Sequence, residues 1–154
     1  MSLTAEALER FVVDLAANAS AWRGLVRHDG DARVYAEIHA DEDVSAWVIC
    51  WSAEQDTGFH DHDQSAAAIA VIEGHVREER LTVGGRPLAR EVGPGGVVSI
   101  PPVAIHRVLH AGVGPAVTIH AYSPPLTRTG AYRIGPDGQL EREALDSEVE
   151  LRAA

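Results

Sequence analysis

Lysine is absent from this chain, cysteine occurs once, and no apolar run reaches the length of a membrane span. The lone Cys50 excludes an intramolecular disulfide framework and a cysteine-rich metal site. Nothing therefore demands an oxidising compartment, and the cytoplasm is the expected location. The N-terminus lacks the positively charged start and following apolar stretch of a secretory signal, and a span of about 20 apolar residues is missing, so a soluble protein is expected. Positive charge is also scarce: 13 arginines stand against 23 acidic residues, a formal net charge of -10. That balance disfavours nucleic acid and anionic membranes, which both select clustered positive charge.

What is there suits one domain. At 154 residues with 45% hydrophobic content the chain can bury its own core, whereas two halves would each be marginal. Between Thr4 and Ala17, Leu8, Phe11, Val12 and Leu15 fall on one helical face, with Glu6, Glu9 and Arg10 among the others. A second short helical piece is expected around Trp22, Leu25 and Val26, before the turn at Asp29-Gly30. From Ala32 the pattern changes to short stretches rich in Val and Ile, separated by Gly, Pro and Asp. Strands are expected at 33–39, 44–51, 66–72, 75–82, 86–92, 97–100, 105–110 and 115–122, with one more hairpin at Asp137-Gly138. Many short strands without intervening helices indicate an all-β sandwich or barrel.

The chemistry gathers in Gly58-Phe59-His60-Asp61-His62. Residues i and i+2 of an extended strand point to one face, so His60 and His62 can share an ion. His106, after Pro101-Pro102, lies in a later strand that a closed barrel can bring opposite them. Three imidazoles leave positions open for small molecules, and by affinity alone they suit iron, zinc, nickel or copper.

These motifs resemble those of the cupin superfamily, and within it the cysteine dioxygenase-like thiol dioxygenases. The likeness is carried by Trp51 to Ser65 with its His60-Asp61-His62 core, by Ile105-His106-Arg107, and by Thr118-Ile119-His120-Ala121-Tyr122-Ser123-Pro124-Pro125. It covers about Tyr35 to Pro125. The resemblance implies an all-β cupin double-stranded β-helix (jelly-roll) barrel with an N-terminal helical segment. The expected layout is one domain, with a helical segment over 1–28, the barrel over 32–125 and a C-terminal extension over 126–154. It also implies Fe2+ on His60, His62 and His106, and conversion of a small-molecule thiol plus O2 to a sulfinic acid by a monomer or weak homodimer. Many cupins add a glutamate ligand shortly after the histidine pair. Here Gln64, Ser65, Ala66 and Ala67 stand in that region, which fits a neutral three-histidine site.

Thr118, His120 and Tyr122 alternate with Val117, Ile119 and Ala121 and so share one strand face. In the family such a row lies beside the iron, with the tyrosine hydroxyl directed at substrate or oxygen. Two departures stand out. The cysteine that animal enzymes crosslink to this tyrosine corresponds to Ala67, so Tyr122 is expected as an unmodified phenol. The family's substrate-carboxylate arginine, often in a Tyr-x-Arg string, corresponds to Glu37 in Tyr35-Ala36-Glu37, although Arg33 could take its place. A glutamate there favours a cationic or amine-bearing thiol such as cysteamine or ergothioneine. With Arg33 in that role, L-cysteine is the alternative. A non-enzymatic metal-binding cupin, or a zinc or nickel isomerase or lyase, are readings of other classes.

His28, His39, His75 and His110 are expected at the surface or in packing, although His110 shares a strand face with His106. Trp22, Trp47, Trp51 and Cys50 are expected in the core.

Overall fold

Thr4 opens the first helix: its Oγ1 accepts the Ala7 N–H at 3.1 Å, and α1 runs over Ala5–Ala17. Leu8 and Val12 on its inner face are buried against the outer face of a sheet. The second helical piece takes the form of two 3₁₀ turns, Ala19–Ala21 and Arg23–Leu25, which fold Trp22 into the same cluster. Asn18, Gly24 and the short span available favour tight turns there over a regular helix. The computed structural model describes residues 1–146.

All remaining elements are strands: β1 (Val34–Ala40), β2 (Ser45–Trp51), β3 (His60–Asp61), β4 (Ala66–Glu73), β5 (His75–Arg80) and β6 (Leu88–Val92). They are followed by β7 (Val97–Ile100), β8 (His106–Ala111), β9 (Ala116–Ser123), β10 (Arg128–Ile134) and β11 (Leu140–Asp146). They form two antiparallel sheets, one of five strands in the order β1-β2-β9-β4-β7 and one of six in the order β11-β10-β3-β8-β5-β6.

Alternation along the central strands builds two layers of core. Ala46, Val48 and Cys50 of β2, Ala68 and Ala70 of β4, and Val117, Ile119 and Ala121 of β9 form the outer layer with α1 and Trp22, the helix itself lying over β4 and β9. Ile49 and Trp51 of β2, Ala67, Ile69 and Val71 of β4, and Tyr122 of β9 face the space between the sheets. Every residue of β9 is buried, because this sheet is covered on both faces. Each large side chain so buried contributes about 1.5–3 kcal/mol. Between β4 and β5 the chain reverses at Gly74, whose φ of 68° is left-handed and whose missing Cβ leaves room for the Pro115–Ala116 backbone.

The segment from 126 onward, expected as an extension to the barrel, instead supplies β10 and β11 to the second sheet. β10 pairs with β3, placing Gly130 opposite Asp61 and Ala131 opposite His60. The hairpin expected at Asp137-Gly138 joins β10 to β11. The reading of the acidic last dozen residues falls mostly outside the described residues. Among the described residues no helix is long and apolar enough to cross a membrane.

Candidate metal centre

His60 and His106 are direct cross-strand partners on β3 and β8, and His62 follows β3 by one residue. Pairing of the two strands brings together, across 44 residues of sequence, imidazoles with Nε2–Nε2 separations of 3.1 Å for His60–His62 and 3.4 Å for His62–His106. All three are buried. They form a group of side chains able to hold a metal ion, as expected from their spacing.

The tautomers decide what this cluster does. His60 Nδ1 lies 2.9 Å from the Gly58 carbonyl, and His106 Nδ1 lies 3.2 Å from the Glu78 carboxylate. Both acceptors place the ring proton on Nδ1, so the Nε2 lone pairs of His60 and His106 face His62. Two lone pairs converging on His62 Nε2 call for a positive centre between the rings, either a proton on His62 Nε2 or a shared cation. Imidazole nitrogens about 2.1 Å from a shared ion are about 3.0 Å apart at right angles and about 3.4 Å apart at a tetrahedral angle, the range found here. The donor set therefore fits a divalent transition metal with positions left open.

Glu78 was not legible in the sequence. Within Arg77-Glu78-Glu79-Arg80 it reads as part of a solvated charge run, yet it is only 4% exposed. Alternation from the inward-facing Val76 is the one signal that could have found it. Arg80 Nη2 lies 3.2 Å and Arg90 Nε 3.6 Å from its Oε1, while Arg80 Nε at 3.3 Å and His106 Nδ1 at 3.2 Å share Oε2. Burial pushes the Glu78 carboxyl up, but the hydrogen bond from His106 and the charge and hydrogen bonds of Arg80 outweigh it and hold the group below its ordinary value. Such a carboxylate fixes ring orientation and raises ligand basicity. Glu78→Gln is expected to weaken metal binding about 10–100-fold. A competition titration against a chromophoric chelator reads this directly, and unchanged affinity would remove Glu78 from the site.

The row on β9 begins at the histidines. The Tyr122 ring packs edge-on against His62 at 5.1 Å between centroids. Its hydroxyl lies 3.4 Å from His120 Nδ1, and His120 Nε2 lies 2.9 Å from Thr118 Oγ1. Trp51 extends the row, donating its indole N–H to Thr118 Oγ1 at 2.9 Å. Ala67 is the cross-strand partner of Tyr122, so a methyl group stands where a crosslinking sulfur would be needed.

The three residues of β1 and its approach lie apart from one another in environment. Glu37 is exposed and pairs with Trp47, itself the partner of His120. Tyr35 packs against the barrel core, its ring 6.0 Å from that of Trp47. Arg33 is 6% exposed, with its guanidinium carbon 5.1 Å from the Trp51 ring centroid. The remaining histidines take the roles expected of them: His110 Nε2 meets the Gly114 carbonyl at 2.6 Å, His28 meets the Ala116 carbonyl, and His39 meets Asp41.

Asp61 lies between His60 and His62. Burial pushes its carboxyl up, but hydrogen bonds from Arg142, Tyr132 and the Asp63 amide outweigh this and hold it well below the usual carboxylate range. Its partners belong to the C-terminal hairpin, which carried no functional signal in the sequence.

Several solved structures are similar in fold. BH2720 from Bacillus halodurans matches with a TM-score of 0.58 at 18% identity, covering 85% of this chain and 87% of its own. A Klebsiella pneumoniae protein with a double-stranded β-helix domain matches at 0.58 and 17% identity, covering 66% and 80%. The cupin domain of Cnp3 from Schizosaccharomyces pombe matches at 0.55 and 11% identity, covering 64% and 63%. The fold is therefore the expected cupin double-stranded β-helix. A curated relative, cysteine dioxygenase type 1 of Danio rerio, is 24% identical over 149 residues, 87% of this chain and 73% of that protein. The family model for cysteine dioxygenase type I matches residues 3–134, and the chain belongs to that family.

Proposed function

We propose that this protein is an iron-dependent thiol dioxygenase that converts a cationic or amine-bearing thiol, such as cysteamine or ergothioneine, to its sulfinic acid. The reaction balances without an external reductant: R–SH plus O2 gives R–SO2H, with both oxygen atoms on sulfur and the proton retained by the product. The observation that carries the reading is the buried phenol of Tyr122 against His62, backed by His120, Thr118 and Trp51. A cupin that only stored a ligand would not need a hydroxyl supported in this way at a metal face.

Ferrous iron on His60, His62 and His106 would supply a cationic open position that favours the thiolate and activates dioxygen. The chain does the rest. Tyr122 offers a hydrogen bond where negative charge develops on oxygen, and His120 holds that phenol through Thr118. The buried walls around Ile49, Ile69 and Ile100 exclude water from the reacting sulfur. Glu37, one strand pair away from His120 through Trp47, offers a carboxylate to the cationic end of the thiol. A reducing cytoplasm suits both the thiol substrate and the free, buried Cys50.

One observation favours a second reading. Arg33 brings a buried guanidinium to the barrel beside Trp51, and such a group pairs well with the carboxylate of L-cysteine. Oxygen uptake by the ferrous-loaded protein, with cysteine, mercaptopropionate, cysteamine and ergothioneine in turn, separates the two. Cysteamine or ergothioneine is expected to lead, and Glu37→Gln is expected to reduce kcat/KM for that thiol about five- to tenfold, as befits a partly exposed ion pair of about 1 kcal/mol. Cysteine as best substrate, lost in Arg33→Gln, would establish the second reading. No uptake above a His62→Ala control would leave a metal-binding cupin without oxygen chemistry, and turnover without oxygen would point to an isomerase or lyase.

A further inference from the structure

Strand β3 and the residue after it present two of the three clustered imidazoles on a very short ladder. Its ladder amounts to two residue pairs with β10 and one with β8; the further backbone bonds, from Tyr132 N–H to the Phe59 carbonyl and from Thr57 N–H to the Val108 carbonyl, hold the residues before His60, and among the described residues none holds His62 to a neighbouring strand. So short a ladder does not by itself fix the direction of His60 and His62, since a few degrees of backbone rotation would swing the ring nitrogens apart.

The missing rigidity comes from the residue between them. Asp61 points away from the imidazoles, as alternation requires, and is only 8% exposed. The Tyr132 hydroxyl donates to its Oδ2 at 2.5 Å, Arg142 Nε donates to Oδ2 at 2.9 Å, and Arg142 Nη2 donates to Oδ1 at 3.0 Å. The Asp63 amide donates to Oδ1 at 2.9 Å, which ties down the turn just after His62. Arg142 Nη2 also lies 3.6 Å from the Asp63 carboxylate. The guanidinium reaches across β10 at Gly130, where any Cβ would collide with it. A two-pronged arginine contact of this kind fixes geometry as well as contributing energy.

We propose that the β10–β11 hairpin is the positioning element of the metal strand: Arg142 and Tyr132 grip Asp61 and thereby keep His60 and His62 convergent before metal binds. This rests on the three-histidine group being the metal centre. Arg142 and Tyr132 touch neither metal nor substrate, and act only through Asp61 and the backbone that it anchors.

The test is cobalt(II) titration of the full chain, following the visible absorption of the bound ion under chelator competition, with thermal unfolding of each metal-free protein alongside. Arg142→Gln and Asp61→Asn are each expected to weaken cobalt binding about tenfold, and the double variant to be no worse than either alone. Arg133→Gln, which removes only the exposed pair with Glu141 in the same hairpin, is expected to bind like wild type. The proposal is overturned if Arg142→Gln lowers the unfolding temperature but stays within twofold of wild-type affinity. It is equally overturned if the two losses add, or if Arg133→Gln weakens binding as much. Wild type and His62→Ala binding cobalt alike would instead remove the metal centre itself, and the proposal with it.

Discussion

His62→Ala will fold and will fail to retain metal. Its Nε2 lies 3.1 Å from that of His60 and 3.4 Å from that of His106, so its loss leaves those two without a third donor. The expected loss of affinity exceeds the roughly 100-fold upper figure for residues that merely orient a ligand. Oxygen uptake should fall to background. Metal content after dialysis against a weak chelator, measured by elemental analysis, checks the binding half of this. The metal-free variant is expected to fold but to unfold below the wild-type temperature, because loss of a ring only 1% exposed leaves a cavity beside Tyr122. A variant that retains one equivalent of metal would show that the three-histidine group is not the centre.

Tyr122→Phe is expected to separate chemistry from binding. The ring remains to pack on His62, and the core loses no volume beyond one oxygen. What disappears is the hydroxyl beside His120 Nδ1. If that hydroxyl stabilises charge developing on oxygen, kcat should fall about 10²–10³-fold with little change in KM and none in metal content. Steady-state oxygen consumption with the best thiol measures both constants. A kcat within threefold of wild type would reduce Tyr122 to a packing residue, and attention would pass to Arg33 and Trp51 as the polar groups inside the barrel.

The parts of this molecule that could be read from the sequence are those where one physical rule acts alone. Alternation identified β2, β4 and β9, and it placed Thr118, His120 and Tyr122 on one face because both faces of that sheet are buried and register cannot slip without exposing one of them. The i, i+2 spacing put His60 and His62 together for the same reason. Strand β3 itself is too short for any periodicity, and its extended form is imposed by β8 and β10. Glu78 escaped notice because its charge is met by Arg80 two residues along β5 and by Arg90, which only the β5–β6 pairing brings to it. The roles of Asp61, Tyr132 and Arg142 depend on a contact between residues 81 apart, about which local propensity carries no information. Arg33 and Glu37 lie between these cases: alternation puts them on one face with Tyr35, but whether each is buried depends on where the edge strand ends.

The pairing of β3 with β10 also constrains when the site can exist. The partner of Asp61 lies about seventy residues further along the chain, since Tyr132 is 71 positions away. A nascent chain that has just emerged as far as His62 therefore holds two imidazoles on a segment without a neighbour on either side. His106 and then the final hairpin must leave the ribosome before that segment is enclosed. The three-histidine group is accordingly enclosed only once β8 and β10 have both been made. An ion captured earlier by the exposed histidine pair would be held by two ligands alone, and would exchange freely until β8 brought His106.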